Sequence, residues 1–239
     1  MFREQTTRFL YRAHAVGVSG TFTKPHAEFL QAQASCSLSI DGGKVSAQVE
    51  KFHFHDMIKI DSVFTSAMGT GDRENGPWNT VVTATMEGLN IHHVISSDRM
   101  VARLASVHVK QGKEAEVLVL GSHIENLKVA GKTVNFRPND DFLREGRTLS
   151  RATEYCKPYK KSGDGRRVYT SIFSEVSCQG LENLNEHTLL FPELGTIHLG
   201  EIIVSEGERR LTMMRIEFGC AMEGNGNFIE GGANGLEYP

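Results

Sequence analysis

A chain of 239 residues with 39% hydrophobic and 23% charged residues can bury a sizeable core and is too apolar to be a disordered polypeptide. The formal charge of −3 and a pI near 6.4 give no field that would draw it onto nucleic acid or an anionic membrane surface. No stretch approaches the roughly eighteen apolar residues that a membrane-spanning helix needs.

From the start, MFREQTTRFLYRAHAVGVSG has no uninterrupted apolar run after its basic residues, so no signal peptide and a cytoplasmic location are expected. The segment from Thr7 to Thr23 alternates as one strand or two, with Phe9, Tyr11, Ala13 and Ala15 on one face and Arg12 and His14 on the other. In TKPHAEFLQAQAS, Thr23 as a cap and Pro25 in a first turn predict a short helix. Asp41-Gly42-Gly43 lies between two alternating runs and predicts a hairpin. Beyond it the apolar positions change phase, from Val45, Ala47 and Val49 to Phe52, Phe54, Ile58 and Ile60, which places a bulge or bend near Glu50-Lys51.

The stretch from Thr80 to Val109 breaks at Gly88 and at Ser97-Asp98, predicting three strands. A turn at Ala130-Gly131-Lys132 joins Leu127/Val129 to Val134/Phe136, and NDDFLREGRTLSRATEYC reads as a helix. KPYKKSGDGRR (Lys157 to Arg167) reads as a solvated loop. RRVYTSIFSEVS, a hairpin with Glu206-Gly207 at its tip, and a last strand in GNFIEGG complete the pattern. About a dozen short strands without βα alternation specify an all-β fold, an antiparallel β-sandwich or barrel-like fold with one or two short helices. One domain over residues 1–239 is expected, with a loop and helix excursion at about 139–167.

The candidate chemistry centres on KFHFHDMIKID. His53 and His55 share a strand face about 6 to 7 Å apart, a spacing that suits two facial ligands of a metal. His198 and Asp61 are the residues that could complete such a set, with a divalent transition metal as the possible cofactor. The alternative is two polar side chains on the wet face of a sheet, with no cofactor. His123 and Glu125 share a face as a possible acid/base pair, or as part of a polar outer face. His92 and His93 are adjacent and would point to opposite faces of a strand. GTGDRENG lacks the lysine and the helix of a phosphate-binding loop.

Trp78, the single tryptophan, lies in a polar stretch where it could contact a ligand or partner, or fold back onto the sheet. Cys36, Cys156, Cys178 and Cys220 are scattered without C-x-x-C spacing and are expected as reduced thiols. Met213, Met214 and Met222 read as core filler.

TVVTATMEGLNIHHVISSDRMVARLASV followed by GSHIENLKVAGKTVNF resembles a pattern in uncharacterised bacterial β-rich proteins, including the choice-of-anchor group. There a Gly-Leu segment precedes a strand and an NLxVxG hairpin follows. The resemblance covers about a quarter of the chain and implies bacterial origin and β-architecture, with no activity attached. This chain departs from it in lacking the export signal those proteins carry.

Three functions are compatible with these residues. The first is a non-enzymatic structural or self-assembling β-protein whose partner is a second copy of itself, with no nucleic acid and no membrane. The second is a metal-dependent, cupin-like β-barrel enzyme using the H-x-H pair. The third is a small-molecule or carbohydrate-binding module with Trp78 in its loop.

Overall fold

A computed structural model of the chain describes residues 8–24, 26–71, 76–109, 113–156, 160–161, 167–219 and 223–238. The strands are β1 (Arg8–Lys24), β2 (Glu28–Gln33), β3 (Cys36–Ser37), β4 (Gly43–Phe54), β5 (Ile58–Thr70), β6 (Trp78–Ile91) and β7 (Ile95–His108). Then come β8 (Glu116–Val119), β9 (His123–Glu125), β10 (Lys128–Val129), β11 (Lys132–Pro138), β12 (Lys160–Lys161), β13 (Arg167–Ser171) and β14 (Phe173–Cys178). The last five are β15 (Glu182–Asn185), β16 (Thr188–Phe191), β17 (Gly195–Ser205), β18 (Arg209–Phe218) and β19 (Glu223–Tyr238). Two short helices, α1 (Asp140–Glu145) and α2 (Leu149–Tyr155), interrupt them. Their N-termini are capped by the side chains of Asn139 and Thr148.

The strands form two antiparallel sheets packed as a sandwich. Sheet A runs β12-β13-β17-β18-β19-β1-β2, with β16 (itself paired to β15) also on β17 and β3 on β1; sheet B runs β14-β11-β10-β7-β6-β5-β4, with β8 and β9 on β7. The central strands β1 and β19 lie over β5, β6 and β7. Between them sit Phe9, Ala15, Val18, Val63, Val82, Met86, Met100, Met213, Met214 and Phe228, all buried. At about 25 cal/mol per Å² of apolar surface removed from water, such an interface is the main favourable contribution to folding.

Several predicted elements hold: the long first strand with its two faces, the Ala130-Gly131 turn (φ 48° and 73°), and the hairpin at Glu206-Gly207. Others are corrected. The expected helix after Thr23 is strand β2, because β1 presents a row of backbone donors and acceptors that Glu28–Gln33 can pair. Asp41-Gly42-Gly43 is a turn, with Gly42 and Gly43 at φ 86° and 97°, but it joins β3 of sheet A to β4 of sheet B and closes no hairpin. Gly88 and Ser97-Asp98 lie inside continuous strands, so the stretch holds two strands and not three. The chain reverses instead at His92-His93, both in the left-handed region (φ 51° and 56°), where Asn90 Oδ1 accepts from the His93 N–H at 3.0 Å. The helical stretch from residue 139 is two helices. Cys220, Met222, most of the basic loop and residues 72–75 of the GTGDRENG segment fall outside the described residues.

A feature shared by both sheets explains the phase change at Lys51. At one level of sheet B the residues Lys51, Asp61, Gly88, Asp98 and Asn126 stand side by side, and the alternate members Lys51, Gly88 and Asn126 have φ of 50°, 66° and 51°. Sheet A has the same arrangement in Ala34, Gly17, Ile229, Met213 and Gly200, with φ of 46° at Ala34, 59° at Ile229 and 62° at Gly200. Each line is a crease. Across it, residues three apart share a face in place of residues two apart, so Val63 and Ile60, Met86 and Leu89, and Leu211 and Met214 all point into the core.

Candidate functional site: the open end between the sheets

The structure separates the four residues considered as metal ligands. His53 is exposed on β4, but the strand ends at Phe54 and His55 lies in the following turn with φ 49°, so the two no longer share a strand face. Asp61 is exposed on the crease of β5, and His198 is buried on β17 of the other sheet. Among the described residues no group of three His, Cys, Asp or Glu side chains is placed to hold a metal ion. Trp78 opens β6, is fully buried and stacks on Phe9 with ring centroids 4.8 Å apart. Of the two placements open to it, contact with a ligand or partner and folding back onto the sheet, the indole takes the second, against Phe9 of β1.

His55 has a different partner. Its Nε2 lies 2.9 Å from both carboxylate oxygens of Glu28, on β2 of sheet A. This pair stands at the rim of a pocket of 320 Å³ where the two sheets part, lined by Phe22, Lys24, His26, Glu28, Phe54, His55, Met57 and His92. The floor is apolar and built from both sheets. Phe22 of β1 stacks on Phe54 of β4 with centroids 5.4 Å apart, Phe218 backs Phe22 at 5.5 Å, and Met57 is buried beneath the turn.

The rim is polar. Lys24 is held by Glu223, the His55 ring meets the edge of Phe54 at 4.7 Å, and the His92 N–H donates to the Met57 carbonyl at 2.8 Å, fixing one turn against the other. The side chains of His26 and His92 make no hydrogen bond among the described residues. Such a pocket can take a small molecule with an apolar or aromatic body and offer its head hydrogen bonds from imidazoles. A larger cleft of 430 Å³ beside α1, lined by Arg137, Asp140, Asp141, Ser174 and Glu175, has no comparable apolar floor.

His198 belongs to a second polar group, on the face of sheet A turned away from sheet B. Arg215 Nε and Nη2 donate to the two oxygens of Glu201 at 2.7 and 2.9 Å, and Arg215 also pairs with Glu217. His198 Nδ1 lies 3.2 Å from Thr188 Oγ1 and 3.4 Å from Glu201. Burial opposes the charge on Glu201, but the hydrogen bonds and charge of Arg215, with the Tyr169 hydroxyl, hold its carboxyl below the usual range. Burial pushes the His198 imidazole down, against the pull of Glu201. The adjoining cleft measures only 80 Å³, room for a water or two and no substrate. This group therefore fastens β13, β16, β17 and β18 together.

Elsewhere, His123 Nε2 and Glu125 pair at 2.9 Å on an exposed face, as their shared face suggested. Ser106 Oγ and His108 Nε2 approach to 3.2 Å, but Ser106 is fully buried between the sheets, out of reach of a substrate.

Sequence reasoning missed His26, Glu28 and His92 as a group. The first two fell in the expected helix, and His92 was read as strand. Asn90, placed to support a left-handed turn through its side chain, was the signal available.

Fold and site together define an antiparallel β-sandwich with a ligand-sized pocket at one open end. Residues 9–164 match DUF8256, described as a domain of unknown function, and the chain belongs to that family. No curated protein and no solved structure matches the chain. Every pocket residue lies inside the matched segment, whereas the Glu201–Arg215 group lies beyond it.

Proposed function

We propose that the protein is a small-molecule-binding module, the third of the functions compatible with its sequence, using the open-end pocket and not Trp78. The observation that carries this reading is the combination, in one place, of an aromatic floor contributed by both sheets with a rim of three histidines and the His55–Glu28 pair. The ligand class is a small aromatic or branched apolar molecule with a carboxylate or other hydrogen-bond-accepting head.

Titration with the fluorescent aromatic anion anilinonaphthalene sulfonate tests it. One saturable site, weakened about tenfold or more in Phe54→Ala and in His26→Ala, is expected from the loss of a ring face or a head-group contact. Indifference to both substitutions would remove the reading.

A second reading, a structural or self-assembling protein, is favoured by a separate observation. Among the described residues the twelve-residue strand β4 has a single hydrogen-bonded neighbour, β5, and leaves its other edge open. Long open edges are templates for pairing with another chain. Analytical ultracentrifugation over a concentration series tests this reading, which requires a species larger than the monomer.

A further inference from the structure

We infer that β4 is a homodimerisation edge, at which two copies pair antiparallel about a two-fold axis through Ala47. This rests on the assembly reading and names its partner and register. The pattern Lys44-Val45-Ser46-Ala47-Gln48-Val49-Glu50 is self-complementary when reversed.

With Ala47 opposite its own copy, Val45 stands opposite Val49, Ser46 opposite Gln48, and Lys44 opposite Glu50, each relationship occurring twice. Opposite residues of an antiparallel pair point to the same face. The apolar trio therefore meets on the core side and the charged and polar residues on the outer side. Val45, Ala47 and Val49 pack against the core yet stay half-buried at this edge. A second copy would cover the part that is still open and run sheet B through both molecules.

The charges select the register. Lysine on an edge strand ordinarily discourages pairing, and a slide of the partner by two residues sets Lys44 opposite Gln48 or Phe52, with no opposite charge to meet. A slide by one residue turns the apolar trio to the wrong face. The regular stretch also ends where pairing should end. Lys51 leaves the extended conformation at φ 50°, and Gly43 opens the strand at φ 97° with empty space around it; in this register those two residues stand opposite each other.

The test is light scattering coupled to size exclusion on the full chain, with Lys44→Glu, Glu50→Lys and the double exchange. Both substituted positions are exposed on β4, so the fold should tolerate all three variants. Wild type is expected as a dimer. Each single change sets two like-charge pairs against each other and should weaken the dimer about tenfold or more, and the double exchange should restore it. A wild-type monomer throughout the micromolar range would overturn both this inference and the assembly reading. A dimer indifferent to all three variants would overturn the β4 edge alone and leave assembly through another surface.

Discussion

His55 and Glu28 meet at 2.9 Å across the gap between two sheets, one from the turn after β4 and the other from β2. Neither is near the other in sequence, and both are more than two-fifths exposed (63% and 45% of their side chains). Ion pairs this open to solvent contribute about 0–1 kcal/mol. Their significance is position: they close the side of a pocket whose floor is Phe22 and Phe54.

It follows that Glu28→Ala should barely change folding stability, by about 0.5 kcal/mol or less. Probe affinity at the pocket should fall about fivefold, because His55 loses the group that orients it. Urea denaturation beside a fluorescence titration separates the two effects.

The Glu201–Arg215 pair behaves oppositely. Glu201 is 4% exposed and accepts both arms of the guanidinium. Glu201→Ala leaves Arg215 without its main partner and should cost about 3–5 kcal/mol. Replacing both together, as Glu201→Leu with Arg215→Met, should cost clearly less than the single change, because no uncompensated charge remains. Chemical denaturation of the three variants reads this out, with pocket binding unaffected in whatever remains folded.

The creases make a third contrast. A methyl group at Gly17 would overlap Val63 in the middle of the sandwich, whereas at Gly88 it would overlap the exposed Asp61 side chain down to its Cβ, which an alanine at 61 would keep, with the added strain of φ 66°. Gly17→Ala should cost about 1–3 kcal/mol by overpacking, partly recovered by Val63→Ala. Gly88→Ala should cost about 1–2 kcal/mol from its left-handed backbone, and Asp61→Ala should recover little of it. Denaturation midpoints of the two pairs of variants test the assignment.

Acid should weaken the fold in two stages. Burial holds His108 and His187 down to about 4, reinforced at His108 by the charge of Arg209 and opposed at His187 by Glu201. Between pH 6.5 and about 4 the unfolded chain therefore binds protons that the folded chain refuses. Stability is complete above that window and falls as pH drops through it, by about 1–2 kcal/mol per histidine after allowance for partial solvent screening. Glu201 and Glu230, whose carboxyls are lowered in the fold, add a further loss below pH 4.5. Urea midpoints measured at successive pH values should show the decline begin near pH 6.5 and steepen below pH 4.5.

Much of the architecture was legible because period-2 alternation holds on either side of the crease in β1, β17 and β18. The crease was legible too, but only locally. The step from Val49 to Phe52 marks it in β4, and the same three-residue step between core positions recurs from Ile60 to Val63, Met86 to Leu89 and Ser97 to Met100. Read strand by strand, those steps at Gly88 and Asp98 looked like chain breaks; they become one feature only once the strands stand side by side. The same crease brings His198 and Glu201, three apart on β17, within 3.4 Å of each other. The pocket was not legible, since its residues come from β1, β2 and two turns that only the packing of the sheets assembles.

The most direct test of the pocket is backbone-amide NMR of the isotope-labelled protein titrated with anilinonaphthalene sulfonate. Binding at the open end predicts saturable shifts confined to the neighbourhoods of Phe22 to Glu28, Phe54 to Met57 and His92, lines from both sheets moving with one affinity. Shifts centred instead on the exposed Phe64 and Met68 of the outer face of sheet B, or no saturable shift at all, would contradict it.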